Sequence, residues 1–344
     1  MVRSMFAAVA GLRAHQTKMD VIGNNIANVN TYGYKKARAT FKDQFYATLK
    51  GSSAPGELYG GGNPSQIGYG SQIGSIDVAH STGGIAATDI ATDVMISGNG
   101  YFLVGEYNKA GYDTTSKTDG NNLTALNMTR VGIFYFDGNG NLVDGNRNHV
   151  YGFKNYAEIG KDPNYIKPDA GGGEAKKTLE ALQIPQIVMN KDGSPLLDGD
   201  GNYTMVQYDE TTGDPTNLGT DGYAASMKLN SVSIGADGTV SGINDKKQVV
   251  IVGRIAVANV PNPNALESTN NSYFKAKENT GIISAEVPGE GATGTLESGK
   301  LEMSNVDLSQ EFTDMITTQR GFQANTRIIT VTDQMLEELV NLKR

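Results

Sequence analysis

The chain has 344 residues, of which 38 % are hydrophobic and 43 are Gly, and carries a formal charge of −8 at neutral pH. That acidic balance excludes the basic stripe needed to neutralise nucleic-acid phosphates, and the lack of Cys excludes disulfides, thiolate metal sites and Cys nucleophiles. No stretch approaches the roughly 18 apolar residues of a membrane-spanning helix.

The first helix is expected from Val2 to Ile26 or Val29. Met5, Leu12, Met19 and Ile26 recur every seven residues, with Ala8, Ile22 and Val29 on a neighbouring row. A seven-residue apolar repeat keeps one helix face toward a partner, which predicts a coiled-coil seam. Arg13, His15, Lys18 and Asp20 interrupt any apolar run of the signal-peptide kind, so composition alone points to the cytoplasm. Asn24, Asn25, Asn28 and Asn30 then compete for backbone hydrogen bonds, and Gly33 can supply a positive φ. The helix should therefore unravel here, with Asn28, Asn30 and Gly33 as hinge candidates.

Residues 34–50 fit a strand or a short helix, and 51–70 reads as loop from its Gly, Ser and Pro content. From Ser71 the pattern turns β, with apolar clusters at Ile73–Val78, Val94–Ile96 and Tyr101–Val104 separated by Gly, Asn and Asp. Residues 127–153 predict two strands around DGNGN, whose Asp-Gly and Asn-Gly steps suit a type I′ hairpin turn. Residues 155–248 are polar and rich in Gly and Asp, with hairpin signals in LLDGDGNYTMV and VSIGADGTVSGI. The run VVIVGRIAVANV (249–260) is strand-like and is closed by Pro261 and Pro263.

The last 40 residues predict a second long helix. Leu301, Leu308, Met315, Phe322, Ile329 and Leu336 recur every seven residues, with Phe312 and Val340 beside them. Gln319, Thr326 and Asp333 are expected on the companion row, so the seam is thin and marginal for one molecule in water. Ser304, Asn305 or Asp307 can cap the helix, Asp307 and Gln310 have capping-box spacing, and Lys343 and Arg344 suit its C-terminal dipole.

No catalytic or cofactor motif stands out. DGDGN (198–202) and DGNGN (137–141) superficially resemble calcium loops, but the sixth positions are Tyr203 and Leu142 and the twelfth Asp209 and Asn148, so both read as turns. His15 and His149 have no His or carboxylate three or four residues away, and Asp77, three before His80, falls in a strand-like stretch and not on a helix. The expectation is no enzyme, no cofactor and no metal.

The terminal segments carry a resemblance. MFAAVAGLRAHQTKMDVIGNNIANVNTYGYKK and SNVDLSQEFTDMITTQRGFQANTRIITVTDQMLEELVNLKR resemble the N- and C-terminal signatures of the bacterial flagellar rod and hook family. Looser similarity runs through 63–104, 129–143 and 296–308. DMITTQRGFQAN, the ending VNLKR and the 155–248 insertion resemble the hook type; the long loop at 51–70 keeps a distal rod subunit as the alternative.

The resemblance implies a mainly β chain with long α-helical termini. The helices, 1–33 and 304–344, would pair as a coiled-coil-like inner-tube domain, joined by a connector at 34–70. An inner β domain (71–150 and 249–303) would hold an inserted outer β domain (151–248). Many copies would form a curved hollow tube that joins rod to filament as a universal joint. The assembly seam would comprise Met5, Leu12, Met19, Ile22, Ile26, Val29, Leu308, Phe312, Met315, Phe322, Ile329, Leu336 and Val340, and the channel lining Gln310, Asp314, Thr317, Thr318 and Gln323. Implied partners are further copies of the chain, the distal rod protein, the hook cap, hook–filament junction proteins and the flagellar type III export apparatus, with an extracellular destination reached without signal cleavage. Neither nucleic acid nor membrane insertion is implied.

Overall fold

Helix α1 (Val2–Ala27) covers the first predicted segment. It ends where the Asn residues begin to divert backbone bonds: Asn28 Nδ2 donates to the Asn24 carbonyl at 2.9 Å and to Asn24 Oδ1 at 3.0 Å. Helix α2 (Leu308–Asn341) starts at Asp307, whose carboxylate accepts from the backbone N–H groups of Ser309 and Gln310. Leu301 therefore lies outside the helix, in a strand at Lys300–Glu302, and the heptad row begins only at Leu308.

The computed structural model describes residues 2–55, 60–108, 111–113, 122–153, 178–192, 194–197, 203–204, 206 and 222–342. The DGDGN run, Lys343, Arg344 and much of 155–248 lie outside these. The chain forms two compact units, one of residues 1–31, 35–81 and 304–344, the other of residues 32–34 and 82–303.

In the first unit, strands β1 (Ala37–Asp43), β2 (Tyr46–Lys50), β3 (Ser65–Gly68) and β4 (Ser71–Val78) pair as β1 with β4 and β2 with β3. Backbone bonds from Gln44 to Gly70 and from Tyr69 to Phe45 join the two pairings, and Ser53 bridges Gly62 further out. The result is one two-stranded ribbon, so much of 51–70, expected as loop, extends it. Gly, Ser and Pro set its tip, while exposure on both faces removes the apolar alternation that marks a half-buried strand. Asn305 ties the ribbon's base to the start of α2: its Oδ1 accepts from Lys36 N–H at 2.7 Å and its Nδ2 donates to the Ala79 carbonyl at 2.8 Å.

The second unit is built on a sheet of 14 strands among the described residues. Its central strand, Tyr101–Gly105, is buried throughout. Phe102 and Val104 enter one core with Val94, Phe134, Val150 and Ile255, while Tyr101 and Leu103 enter another with Met128, Tyr151 and Phe274. Alternate side chains point to opposite faces, so this strand supports both cores. Strands at Thr178–Ala181, Leu229–Ile234 and Thr239–Asn244 share the sheet with His149–Phe153 and Val249–Ile255. The described residues thus divide differently from the expected nesting: 35–81, including the expected start of the inner β domain at 71, belongs with the helices, and the described strands at 178–181 and 229–244 belong with those that flank the insertion.

The turns of this sheet follow one design. At Asp137, Asp144, Gly235 and Asn244, the N–H bonds the carbonyl four residues on, and the N–H three residues on returns to its own carbonyl. Positive φ falls once per turn, at Gly140, Arg147, Gly238 and Lys247. That pattern is a type I turn followed by one left-handed residue, not the I′ turn expected at DGNGN, which needs positive φ twice. Asp137 and Asp144 reinforce their turns by accepting from backbone N–H groups two and four residues on.

One buried charge pair fastens this unit. Arg130 donates to Glu302 Oε2 at 3.4 Å and to the Gly98 carbonyl at 2.9 Å, and its guanidinium lies 5.1 Å from the Tyr101 ring centroid. Glu302 Oε1 accepts from Gly83 N–H, and the Glu302 carbonyl from Gly33 N–H. Gly33, a hinge candidate, is buried at φ 68° with Val131 so close that a Cβ would lie 2.8 Å from its side chain.

Candidate assembly interface

Three contacts set the register of α1 against α2. A Cβ on Gly11 would lie 2.8 Å from the Asn325 amide, and one on Gly321 would lie 2.8 Å from the His15 ring. Asn25 Nδ2 donates to Glu311 Oε2 at 3.3 Å. In each pair the two positions add to 336, so the helices run antiparallel at constant register. The glycines let the backbones approach closely, and the larger residue opposite fills the gap.

The α2 side of this contact has coiled-coil spacing with two unlike rows. Met315, Phe322, Ile329 and Leu336 are half-buried on one; Glu311, Thr318 and Thr332 are buried on the other, with half-buried Asn325 among them. The expected companion row is therefore corrected: Gln319, Thr326 and Asp333 are exposed. The polar row has no apolar periodicity to mark it, and two of its members are satisfied within their own helix. Thr318 donates to the Asp314 carbonyl and Thr332 to the Ile328 carbonyl, each at 2.6 Å, which uses up the hydroxyls within their own helix. Thr318 is 2 % exposed, so it does not line a channel as expected.

On α1, Ile22 is buried with Ala8, Ala14 and Asn25, while Met5, Leu12, Met19 and Ile26 are half-buried, as is Val29 in the turn just past the helix. Asn25 also donates to the Ala37 carbonyl at 2.8 Å and accepts from Ala37 N–H at 3.0 Å, so one side chain links α1, β1 and α2. His15 packs 5.6 Å from the Phe41 ring, and burial, helped by Lys18, lowers the pKa of its imidazole. Leu308, Phe312 and Val340, expected in the seam, are exposed together with Ile316, Ile328, Val331, Met335 and Leu339. Asn30 is exposed and Asn28 half-buried at the end of α1.

The described residues of the helix pair make a contact surface, with a further apolar face of α2 left exposed. Residues 5–35 match the family model described as flagella basal body rod protein, and 297–342 match that of the flagellar basal body rod FlgEFG protein C-terminal. The flagellar basal-body rod protein FlgG of Bacillus subtilis is 36 % identical over the full length of both chains. The flagellar hook protein FlgE of Borreliella burgdorferi is 30 % identical, again covering 100 % of both. A solved structure of the Helicobacter pylori flagellar hook protein FlgE2 aligns with 63 % of this chain and all of its own, at a TM-score of 0.39 and 11 % identity. Full-length similarity of this order makes the chain a member of the flagellar rod and hook family, a structural subunit of the flagellar axis and not an enzyme.

Proposed function

We propose that the chain is a hook subunit: copies polymerise into a short, curved, hollow tube that joins the rod to the filament and passes torque as a universal joint. The observation that carries self-assembly is the exposed apolar face of α2, from Leu308, Phe312 and Ile316 to Val331, Met335 and Leu339. Each such side chain contributes on the order of 1.5–3 kcal/mol when buried, and α1 already occupies the other face. The polar row between α1 and α2 weakens their contact in a lone copy, which supports ends that become rigid on incorporation. Gln310, Asp314, Thr317 and Gln323 remain the channel-lining residues of this reading, with Asn28 and Asn30 as its hinge.

Hook identity is supported by the wording of residues 314–325 and by the full-length similarity to a hook protein. Its partners are then further copies, the distal rod protein, the hook cap and the junction proteins, after delivery to the cell exterior by the type III apparatus. A distal rod subunit is the second reading, favoured by the 36 % identity to a rod protein of matching span. Electron micrographs of basal bodies from a strain without the gene separate the two. Complete rods that lack hooks support the hook, rods that end short support the rod, and intact hook–basal bodies overturn both.

A further inference from the structure

His15 sits where three elements of the first unit meet. From α1 it faces Gly321 of α2, where a Cβ would lie 2.8 Å from its Cε1 and Nε2 atoms, and its ring centroid is 5.6 Å from that of Phe41 in β1. The bare backbone at Gly321 is what admits the ring. Its Nδ1 is shut off from solvent and has no hydrogen-bond partner among the described residues. A neutral imidazole tolerates that enclosure, with its proton on Nε2 and a lone pair on Nδ1. An imidazolium does not, because it carries N–H donors at both nitrogens and the one at Nδ1 would be buried without an acceptor.

The charges around the ring also oppose its protonation. Lys18, one turn further along α1, holds its Nζ 5.8 Å from the Phe41 ring centroid, so the aromatic face that could stabilise a cation already has one. Next in the chain to the two contact residues stand Arg320 on α2 and Lys42 on β1, both exposed cations. The acids of these elements are engaged or turned away. Asp43 on β1 accepts from the Tyr46 hydroxyl, and Asp77 on β4 pairs with Arg38. Asp20 is exposed five residues on along α1, and Asp314 of α2 lies opposite residue 22, about 10 Å along the helix. We infer that His15 is an acid-sensitive latch of the α1–α2–β1 junction: neutral, it lets the two helices close against the ribbon, and on taking up a proton it loosens them, so that copies join less readily in mildly acidic surroundings. Proton linkage sets the direction. A histidine in an unstructured end takes up its proton near pH 6.5, whereas burial and Lys18 hold the packed one neutral to lower pH. Below about 6.5 the loose ends therefore bind more protons than the packed ones, and packing weakens until the packed ring titrates too; above 6.5 its full strength is present.

The latch rests on the self-assembly reading and adds a condition to it. Full-length chain is polymerised at about pH 7.5 and about pH 5.5, a window in which unperturbed carboxylates stay charged and histidines titrate, at one ionic strength. The concentration left unpolymerised is read after sedimentation. It should be severalfold higher at the lower pH for wild type, and equally so for His80→Gln and His149→Gln, but nearly the same at both for His15→Gln. A wild-type value that ignores pH overturns the latch and leaves self-assembly standing, and a rise that survives in His15→Gln overturns its assignment to His15. Wild-type copies that polymerise at neither pH overturn the self-assembly reading, and the latch with it. If His15→Gln forms no tubes at all, Lys18→Gln decides. Without the neighbouring cation the packed imidazole charges more readily, so the rise on acidification should shrink, and an undiminished rise overturns the latch.

Discussion

Asn25 and Glu311 meet across the helix pair, although 286 positions separate them in sequence. Glu311 is 6 % exposed, so its carboxylate depends on donors that the fold supplies. Asn25→Ala removes one of these and the two bonds to Ala37. Stability should fall by roughly 1–3 kcal/mol for each buried group left unpaired. Asn25→Leu should lose a similar amount, and Glu311→Leu added to Asn25→Leu should recover most of it, because an apolar pair leaves no orphan. The temperature at which purified tubes dissociate, followed by light scattering, checks this ordering; equal temperatures for all three variants and wild type contradict it.

Arg130 and Glu302 offer the sharper version of the same test, since both side chains are at most 2 % exposed. Arg130→Met leaves the Glu302 carboxylate with the Gly83 N–H but without its cation, a loss of about 3–5 kcal/mol for a broken buried pair. Adding Glu302→Leu should return part of that loss. Urea unfolding followed by tyrosine fluorescence measures it, as the chain has no Trp.

Three tyrosines predict loss of stability in alkali. Burial, the largest cause in each case, pushes the hydroxyls of Tyr101, Tyr151 and Tyr273 up to about 12. The Arg130 cation opposes the rise at Tyr101, an N–H donated by Asn108 opposes it at Tyr151, and donation to Asp144 adds to it at Tyr273. In the unfolded chain a tyrosine loses its proton near pH 10. Between about 10 and 12 the folded state therefore binds more protons than the unfolded one. Stability from these groups is fully present below pH 10 and is lost as pH rises toward 12. Urea midpoints that stay level from pH 9 to 11.5 contradict this, and absorbance at the tyrosinate band should show a late-titrating class.

The repeated turn predicts opposite outcomes at equivalent positions. Gly140→Ala forces a Cβ onto φ 79° and to within 2.6 Å of the Ser226 hydroxyl oxygen, so it should destabilise by more than about 1 kcal/mol. Lys247 already holds φ 63° with a full side chain, so Lys247→Gly should be neutral or stabilising by up to about 1 kcal/mol. Thermal unfolding of both variants beside wild type decides.

The apolar half of the interface was legible in the sequence, because Met315, Phe322 and Ile329 repeat at a fixed interval and Asp307 precedes Gln310 at cap spacing. Its polar half was not. Glu311, Thr318, Asn325 and Thr332 look like solvent residues until a partner helix covers them, and Gln319, Thr326 and Asp333, each one position further on, are equally polar in sequence. Nor could the row's start be read from spacing: Leu301 fits the interval but falls before the cap and pairs in a strand with Ala86. The ribbon was hidden for a different reason. Phe41, Phe45, Tyr46, Leu49 and Ile67 are exposed, so no buried face imposes a pattern on its strands. Turn positions were visible as Asp-Gly and Asn-Gly steps, yet the loop geometry depends on a single left-handed residue, which Arg147 and Lys247 provide without any Gly to announce it.

Four hairpin loops of one make, each closed by bonds no more than four residues apart, have a kinetic consequence. Contacts this local require little loop-closure entropy, so neighbouring strands can zip from the loop outward before distant parts of the chain have met. The sheet thus carries its own folding nuclei, spaced along the chain at its loops.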